Sequence, residues 1–410
     1  MPYDRVPKGA SLKVEPFKLN IDQAEVDAFY QLLKLSPLPP HTFENNQPTP
    51  PGGISHYGVT YEWMKETKDH WLNKYDWKKR EERINSFPQF TADVKDDDGY
   101  VFKIHFAALF SQKADAIPIV WLHGWPGDYI EFLGLIDSVR KKYSSEDLPY
   151  HIIVPSLPGY ALSSGPPTDK NFDTPGIARI VDKLMVGLGF ENSSIGGYVA
   201  QGGDVGSYAC RPLSLHKACK AIHLNFALMM HPEGTSPTGA TEIEKQGVER
   251  FNDFASAGSA YAYFHGSRPA TVGFVLSSSP LAQLAWIGDK FLAWTDPATR
   301  PPIDDILDSI TLYWFTQSFA RCIYPYREFY SKNEVDYIIH TDPKYHIKQP
   351  LGYSYFPMEL SPIPVEWVKT TGNLVWSASH ESGGHFAAFE RPEVLLKDVE
   401  AFVEQVFGKK

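Results

Sequence analysis

The sequence predicts an α/β fold with a mainly parallel central sheet, preceded by an N-terminal extension and interrupted by a long helical insertion. Three observations predict it. Between residues 100 and 225, strand-like and helix-like segments alternate, which is the pattern of an open, mostly parallel sheet. One of those strands, Ile117–Leu122, is a continuous apolar run, as a strand buried on both faces requires. The alternation then stops, and from residue 232 to 345 only helical patterns occur.

The elements follow in order. Residues 37–51 are proline-rich and should run over a surface. Residues 59–83 have helical spacing, with Trp63, His70, Trp71 and Trp77 set among Lys and Glu. They predict a helical attachment whose aromatics pack on something larger. Residues 100–109 alternate apolar and polar, as a half-buried strand does. Helix is expected over 129–143, strand over 151–155, helix over 174–188, strand over 193–202, helix after Asp204 and strand over 221–225. The insertion should hold helices over 242–258, 280–294 and 303–319. Strand rhythm returns at 374–376, before an amphipathic helix over 394–407. The chain thus divides into an extension (1–95), a first core part (96–230), an inserted lid (231–345) and a second core part (346–410). The insertion is read as a lid because open α/β sheets bind ligands beyond the carboxyl ends of their strands.

Composition excludes several functions. At 410 residues the chain exceeds what one core usually organises, in keeping with a core plus additions. Its net charge of −10 argues against nucleic acid; the one dense basic stretch, Lys78 to Arg80, is followed at once by Glu81 and Glu82. Three cysteines (Cys210, Cys219, Cys322) cannot build a disulfide framework or a four-ligand zinc site. No metal or cofactor is expected, and the cysteine usage suits a reducing, cytoplasmic setting. The first residues, MPYDRVPKGASLKVEPF, lack the apolar run of a signal peptide. No stretch has the length of a membrane span.

Three strings carry chemistry. Gly202-Gly203-Asp204-Val205-Gly206 lies between an expected strand and an expected helix. It matches the small-x-nucleophile-x-small elbow of the α/β-hydrolases, with Asp in place of Ser. His123-Gly124-Trp125-Pro126-Gly127 follows the buried strand, where such folds build half of an oxyanion hole. The backbone N–H groups of Trp125 and Val205 would supply it. Glu381-Ser382-Gly383-Gly384-His385 follows the late strand, and a His last in chain order is the general base of this architecture. An acid must orient that His. Glu359 is the candidate, with Glu366 and Asp342 as alternatives lacking a strand-end setting.

An elbow Asp has a chemical meaning. A Ser that attacked a saturated carbon would leave an ether, which the site could not hydrolyse. A carboxylate leaves an ester, whose carbonyl the oxyanion hole can then activate. The pattern therefore implies displacement at saturated carbon, either epoxide opening or halide loss.

At these residues the chain resembles the microsomal-type epoxide hydrolases, particularly their soluble fungal members, across nearly its whole length. The similarity is carried by Trp71, Tyr75-Asp76-Trp77 and Asn85 to Phe90 in the extension. In the core it is carried by HGWPG, Pro155 to Tyr160, GGDVG and GGHFAAFERP. In the lid it is carried by Tyr261-Ala262, Arg268-Pro269, Ser277 to Pro280 and Tyr326-Arg327-Glu328. The resemblance implies that Asp204 is the nucleophile, His385 the base that activates water, and Glu359 its orienting acid. Tyr261 and Tyr326 would donate to the epoxide oxygen, with Tyr263, Tyr313 and above all Tyr324 as competing lid tyrosines. It also implies a detoxifying role and a homodimer. The orienting acid is Glu where the fast fungal members carry Asp. The alternatives are a haloalkane dehalogenase and a non-catalytic scaffold that binds a hydrophobic ligand. The first is disfavoured because Val205 and Trp125 stand where those enzymes carry Trp and Asn.

Overall fold

The computed structural model describes residues 2–50, 52–330 and 340–408. Among them, nine strands form one sheet: β1 (Val14–Pro16), β2 (Gln89–Lys95), β3 (Val101–Leu109), β4 (Ile117–Leu122), β5 (Tyr150–Pro155), β6 (Tyr198–Gly202), β7 (Cys219–Leu224), β8 (Ile347–Tyr355) and β9 (Gly372–Ser379). Their order across the sheet is β1-β2-β3-β5-β4-β6-β7-β8-β9. The pairs β1–β2, β2–β3 and β3–β5 are antiparallel, and the pairs from β5–β4 to β8–β9 are parallel. The α/β-hydrolase fold expected from the sequence is present. β4 and β6 lie mid-sheet and are almost wholly buried, which is why both faces of β4 read as apolar.

Helices cover the sheet, and local chemistry sets their ends. Asp173 accepts from the Gly176 N–H to start the helix Thr174–Gly187, with a proline in its first turn. The terminal helix Pro392–Phe407 buries Leu395, Leu396, Val399, Phe402 and Val403.

The extension differs from its expectation in two ways. Residues 59–83 form two helices, Tyr61–Asn73 and Trp77–Ile84, because Asp76 accepts from the Lys79 N–H and starts the chain afresh. The extension also enters the sheet: β1 and β2 form its edge beside β3. The aromatics do pack on something larger. Trp71 and Trp77 are fully buried, and losing such a side chain typically costs about 3–5 kcal/mol. The Trp71 indole donates to Thr311 Oγ1 at 3.2 Å, and the Tyr75 hydroxyl to Asp308 at 2.9 Å. Arg80 Nε donates to both Asp308 oxygens.

The described part of the insertion is helical. It runs through Glu242–Asp253, a π-helical turn at Phe254–Gly258, Ala260–Ser267, Pro269–Leu276, Pro280–Trp294, Ile303–Phe315 and Phe319–Cys322. The expected 303–319 helix stops short at Gln317, whose φ of 49° is left-handed. The lid range 231–345 includes residues 331–339, which lie outside the described residues. Two further differences concern strands. Residues 193–197 are a turn, closed by the Ser193 hydroxyl on the Gly197 carbonyl at 2.6 Å. β8 was not expected, because Pro350 breaks its alternation; the β8–β9 register shifts at that residue. Among the described residues, no single helix is long and apolar enough to cross a membrane.

Candidate active site

Asp204 stands at the carboxyl end of β6, mid-sheet. Its φ is 43°, a left-handed conformation that costs a non-glycine residue roughly 1–3 kcal/mol. The glycines around it permit the turn. A Cβ on Gly202 would lie 2.5 Å from the Gly206 carbonyl oxygen, and one on Gly206 would lie 2.8 Å from Leu122 Cβ. Gly124 is equally constrained, since its Cβ would fall 2.6 Å from Asp204 Cγ. Asp204 also opens the helix Asp204–Leu213, whose N-terminal dipole favours a carboxylate.

The Trp125 N–H donates to Asp204 Oδ1 at 2.7 Å. Val205 follows in the first helical turn, where backbone N–H groups have no intrahelical acceptor. The other oxygen, Asp204 Oδ2, is 3.3 Å from His385 Nε2. His385 Nδ1 lies 2.5 Å from Glu359 Oε1, and both side chains are buried. The Glu359 and His385 loops are joined by a bridge between Met358 and Gly384, and the Arg250 guanidinium binds the Glu359 carbonyl. Glu366 accepts from the Ser236 N–H and Asp342 from the Lys344 N–H, so each is engaged with a backbone group other than His385.

Burial opposes a charge on the His385 ring, but the Glu359 and Asp204 carboxylates on either side outweigh it. The ring is pushed up to about 10. The two neighbouring carboxylates thus favour the protonated ring in the resting site. Converting Asp204 to a neutral ester would remove one of those charges, and the ring would then release its proton more readily.

Two tyrosines face Asp204 from the insertion. Tyr261 lies on the helix Ala260–Ser267 and Tyr326 in the turn Tyr324–Tyr326; their hydroxyl oxygens are 3.4 Å apart. Burial holds the Tyr326 phenol well above its ordinary value, which keeps it a donor. The competitors are otherwise engaged. Tyr324 donates to the Pro158 carbonyl at 2.9 Å and Tyr313 to the Gly127 carbonyl at 3.0 Å, while Tyr263 is mostly exposed. Asp204, Tyr208, Phe226, Phe254, Tyr261 and Tyr326 border one cavity of about 280 Å³. A groove of about 570 Å³ between the extension and the insertion contains none of these catalytic candidates.

Sequence reasoning missed several neighbours. Lys290 Nζ lies 4.9 Å from the Tyr261 ring centroid. His265 packs edge-on against both tyrosines and accepts from the Trp286 indole at 3.0 Å. Glu131, in the turn Tyr129–Phe132, is buried beside the loop 123–127. A lone acid inside the apolar run YIEFLGLI was its available signal.

Known proteins resemble this chain at two levels. The family described as epoxide hydrolase N terminus matches residues 14–132, and the alpha/beta hydrolase fold family matches residues 117–236. The structure of Aspergillus niger epoxide hydrolase superposes with a TM-score of 0.90 at 44% identity, covering 99% of this chain and 100% of that one. A Dothistroma septosporum relative is 43% identical over 410 residues, all of this chain and 94% of its own. Epoxide hydrolase 1 of Oryctolagus cuniculus is 30% identical over 424 residues, covering 95% of this chain and 88% of its own.

Proposed function

Since the chain belongs to the epoxide hydrolase family, we propose that it converts epoxides to vicinal diols through a covalent ester on Asp204. Membership of that family sets aside halide displacement and the non-catalytic scaffold. The route rests on one observation: a carboxylate with one oxygen on the Trp125 N–H and the other beside His385, beneath two phenols.

The chemistry follows from those positions. Tyr261 and Tyr326 donate to the epoxide oxygen, which gains charge as its carbon–oxygen bond breaks. Two neutral donors aimed at a developing alkoxide act where electrostatic help is greatest. Asp204 attacks the carbon from the opposite side, and the elbow presents it without rearrangement. The ester formed carries no charge, so the protonated His385 gives up its proton to the substrate alkoxide, and the neutral ring then takes a proton from water. The N–H groups of Trp125 and Val205 hold the oxyanion as water adds to the ester carbonyl. Glu359 keeps the His385 ring in the productive tautomer. Residues 231–345 act as the lid that carries both tyrosines, and residues 1–95 act as an extension bracing it.

A single turnover in ¹⁸O-water, with enzyme in excess, tests the route. Label is expected in the peptide containing Asp204, because water attacks that carboxyl carbon. Diol formed without label in Asp204 refutes the ester.

A further inference from the structure

Behind Asp204, away from the epoxide cavity, lies a second and much smaller space. It has a volume of about 20 Å³ and is bordered by Gly124, Gly127, Glu131, Asp204, Asn225 and His385, with apolar residues closing the remainder. A water needs roughly 10–15 Å³ of such room and two to four polar partners. The chamber therefore fits one water, with His385, Asn225 and Glu131 as its polar walls. Asp204 borders both spaces, so an epoxide in one and a water in the other would each lie against the nucleophile.

Glu131 is the member that nothing else in the structure explains. It is 7% exposed, so its carboxyl has been taken out of water. Among the described residues no hydrogen bond reaches that carboxyl, although a buried carboxyl normally recruits one. Burial, then the nearby Asp128, push it well above the usual carboxylate range. Its position is kept open by Gly127, since a Cβ there would lie 2.6 Å from Glu131 Oε2. A glycine at 127 thus lets the Glu131 carboxyl approach the oxyanion loop. Asn225 also borders this space, and its Oδ1 accepts from Gln201 Nε2 at 2.7 Å.

We propose that Glu131 is a positioning residue for the hydrolytic half of the reaction: it holds the attacking water in this chamber against His385. This rests on the ester route through Asp204. In the step, the water donates one hydrogen bond to a Glu131 oxygen and the other to His385 Nε2. Its oxygen forms a bond to Asp204 Cγ, and the proton it loses passes to His385 Nε2. The carbonyl π pair moves onto the ester carbonyl oxygen. Collapse of that oxyanion breaks the bond to the substrate oxygen, which takes the proton from His385 and leaves as the diol. Asp204 is left as the acid and passes the second water proton to His385, which restores the carboxylate and the protonated ring; Glu131 is unchanged.

Rapid-quench single turnovers, read by the mass of the Asp204 peptide, test the assignment on the full-length enzyme. Glu131→Leu should form the ester within about twofold of the wild-type rate and hydrolyse it at least tenfold more slowly, so ester accumulates. Glu131→Gln, which keeps an acceptor oxygen of the same shape, should recover most of the lost rate. Hydrolysis unslowed in Glu131→Leu overturns the assignment, as does a proportional loss of both steps in Glu131→Gln. If neither variant folds, a crystal structure of the wild-type enzyme decides: a water within hydrogen-bond reach of Glu131 and His385 supports the role, and an unhydrated chamber overturns it. If the wild-type enzyme itself yields no ester, the failure lies with the Asp204 route.

Discussion

Gly124→Ala is the smallest change that should displace Asp204 without replacing it. The added Cβ would sit 2.6 Å from Asp204 Cγ, whereas carbon atoms in good contact are about 3.5–4.0 Å apart. Asp204 or the loop must therefore give way by about 1 Å. The elbow cannot absorb that, because Gly202 and Gly206 are already in contact with the neighbouring backbone. A misplacement of about 1 Å costs on the order of 10²-fold in rate. The Trp125 N–H bond to Asp204 Oδ1 would be strained by the same movement. Overpacking should cost about 1–3 kcal/mol of stability, so the protein should still fold. The assay is ester formation in a single turnover, alongside a urea melt. Gly134→Ala is the control: its Cβ would meet Pro392 at an ordinary 3.5 Å, within the helix Leu133–Lys142. It should gain about 0.5–1 kcal/mol with ester formation unchanged. A Gly124→Ala enzyme that alkylates at the wild-type rate would refute the close-contact reasoning.

His385→Gln should form the ester but fail to release it, leaving a stable mass increase on the Asp204 peptide after epoxide is added; a fully active, unmodified variant removes His385 from the scheme. His385 is raised from about 6.5 to about 10 on folding, so its contribution to stability is complete below about pH 6.5 and fades as pH rises through about 10. The gap between wild-type and His385→Gln melting temperatures should therefore narrow over that window, and a gap that widens contradicts the ion-pair account. Tyr261→Phe and Tyr326→Phe should each slow ester formation by about 10²-fold or more; Tyr324→Phe should not, since its hydroxyl serves the Pro158 carbonyl. Arg80→Met leaves the buried Asp308 carboxylate with only the more distant Arg83, at 3.7 Å, as a cation and should cost about 3 kcal/mol in urea unfolding, much of it recovered in the double variant with Asp308→Asn.

The legible part of the molecule is the part with strong local signals. β4 and β6 announce themselves because central strands bury both faces. The elbow announces itself because only small residues fit around a left-handed Asp204. Chain order points to His385 and Glu359; His385 lies beside Asp204, and Glu359 holds the far nitrogen of its ring. Tertiary partners hid the rest. β1 and β2 are strands because β3 offers them an edge, and nothing within residues 14–16 could say so. β8 carries Pro350 and still pairs, taking a register shift. Tyr324 and Tyr326 are two residues apart and chemically alike; only the carbonyl of Pro158 separates them. Glu131 is conspicuous by charge but gains meaning from a chamber assembled by distant loops.

The extension grips two parts of the molecule at once. Its strands are sewn into the sheet beside β3, while Trp71, Tyr75 and Arg80 hold the helix Ile303–Phe315 of the insertion. A roof pinned on the far side of its span does not swing like a door. The exposed Tyr263 borders the cavity that holds Asp204, so a substrate's bulk should be screened by such bordering side chains. Tyr263→Ala should then admit bulkier epoxides without altering a single catalytic atom.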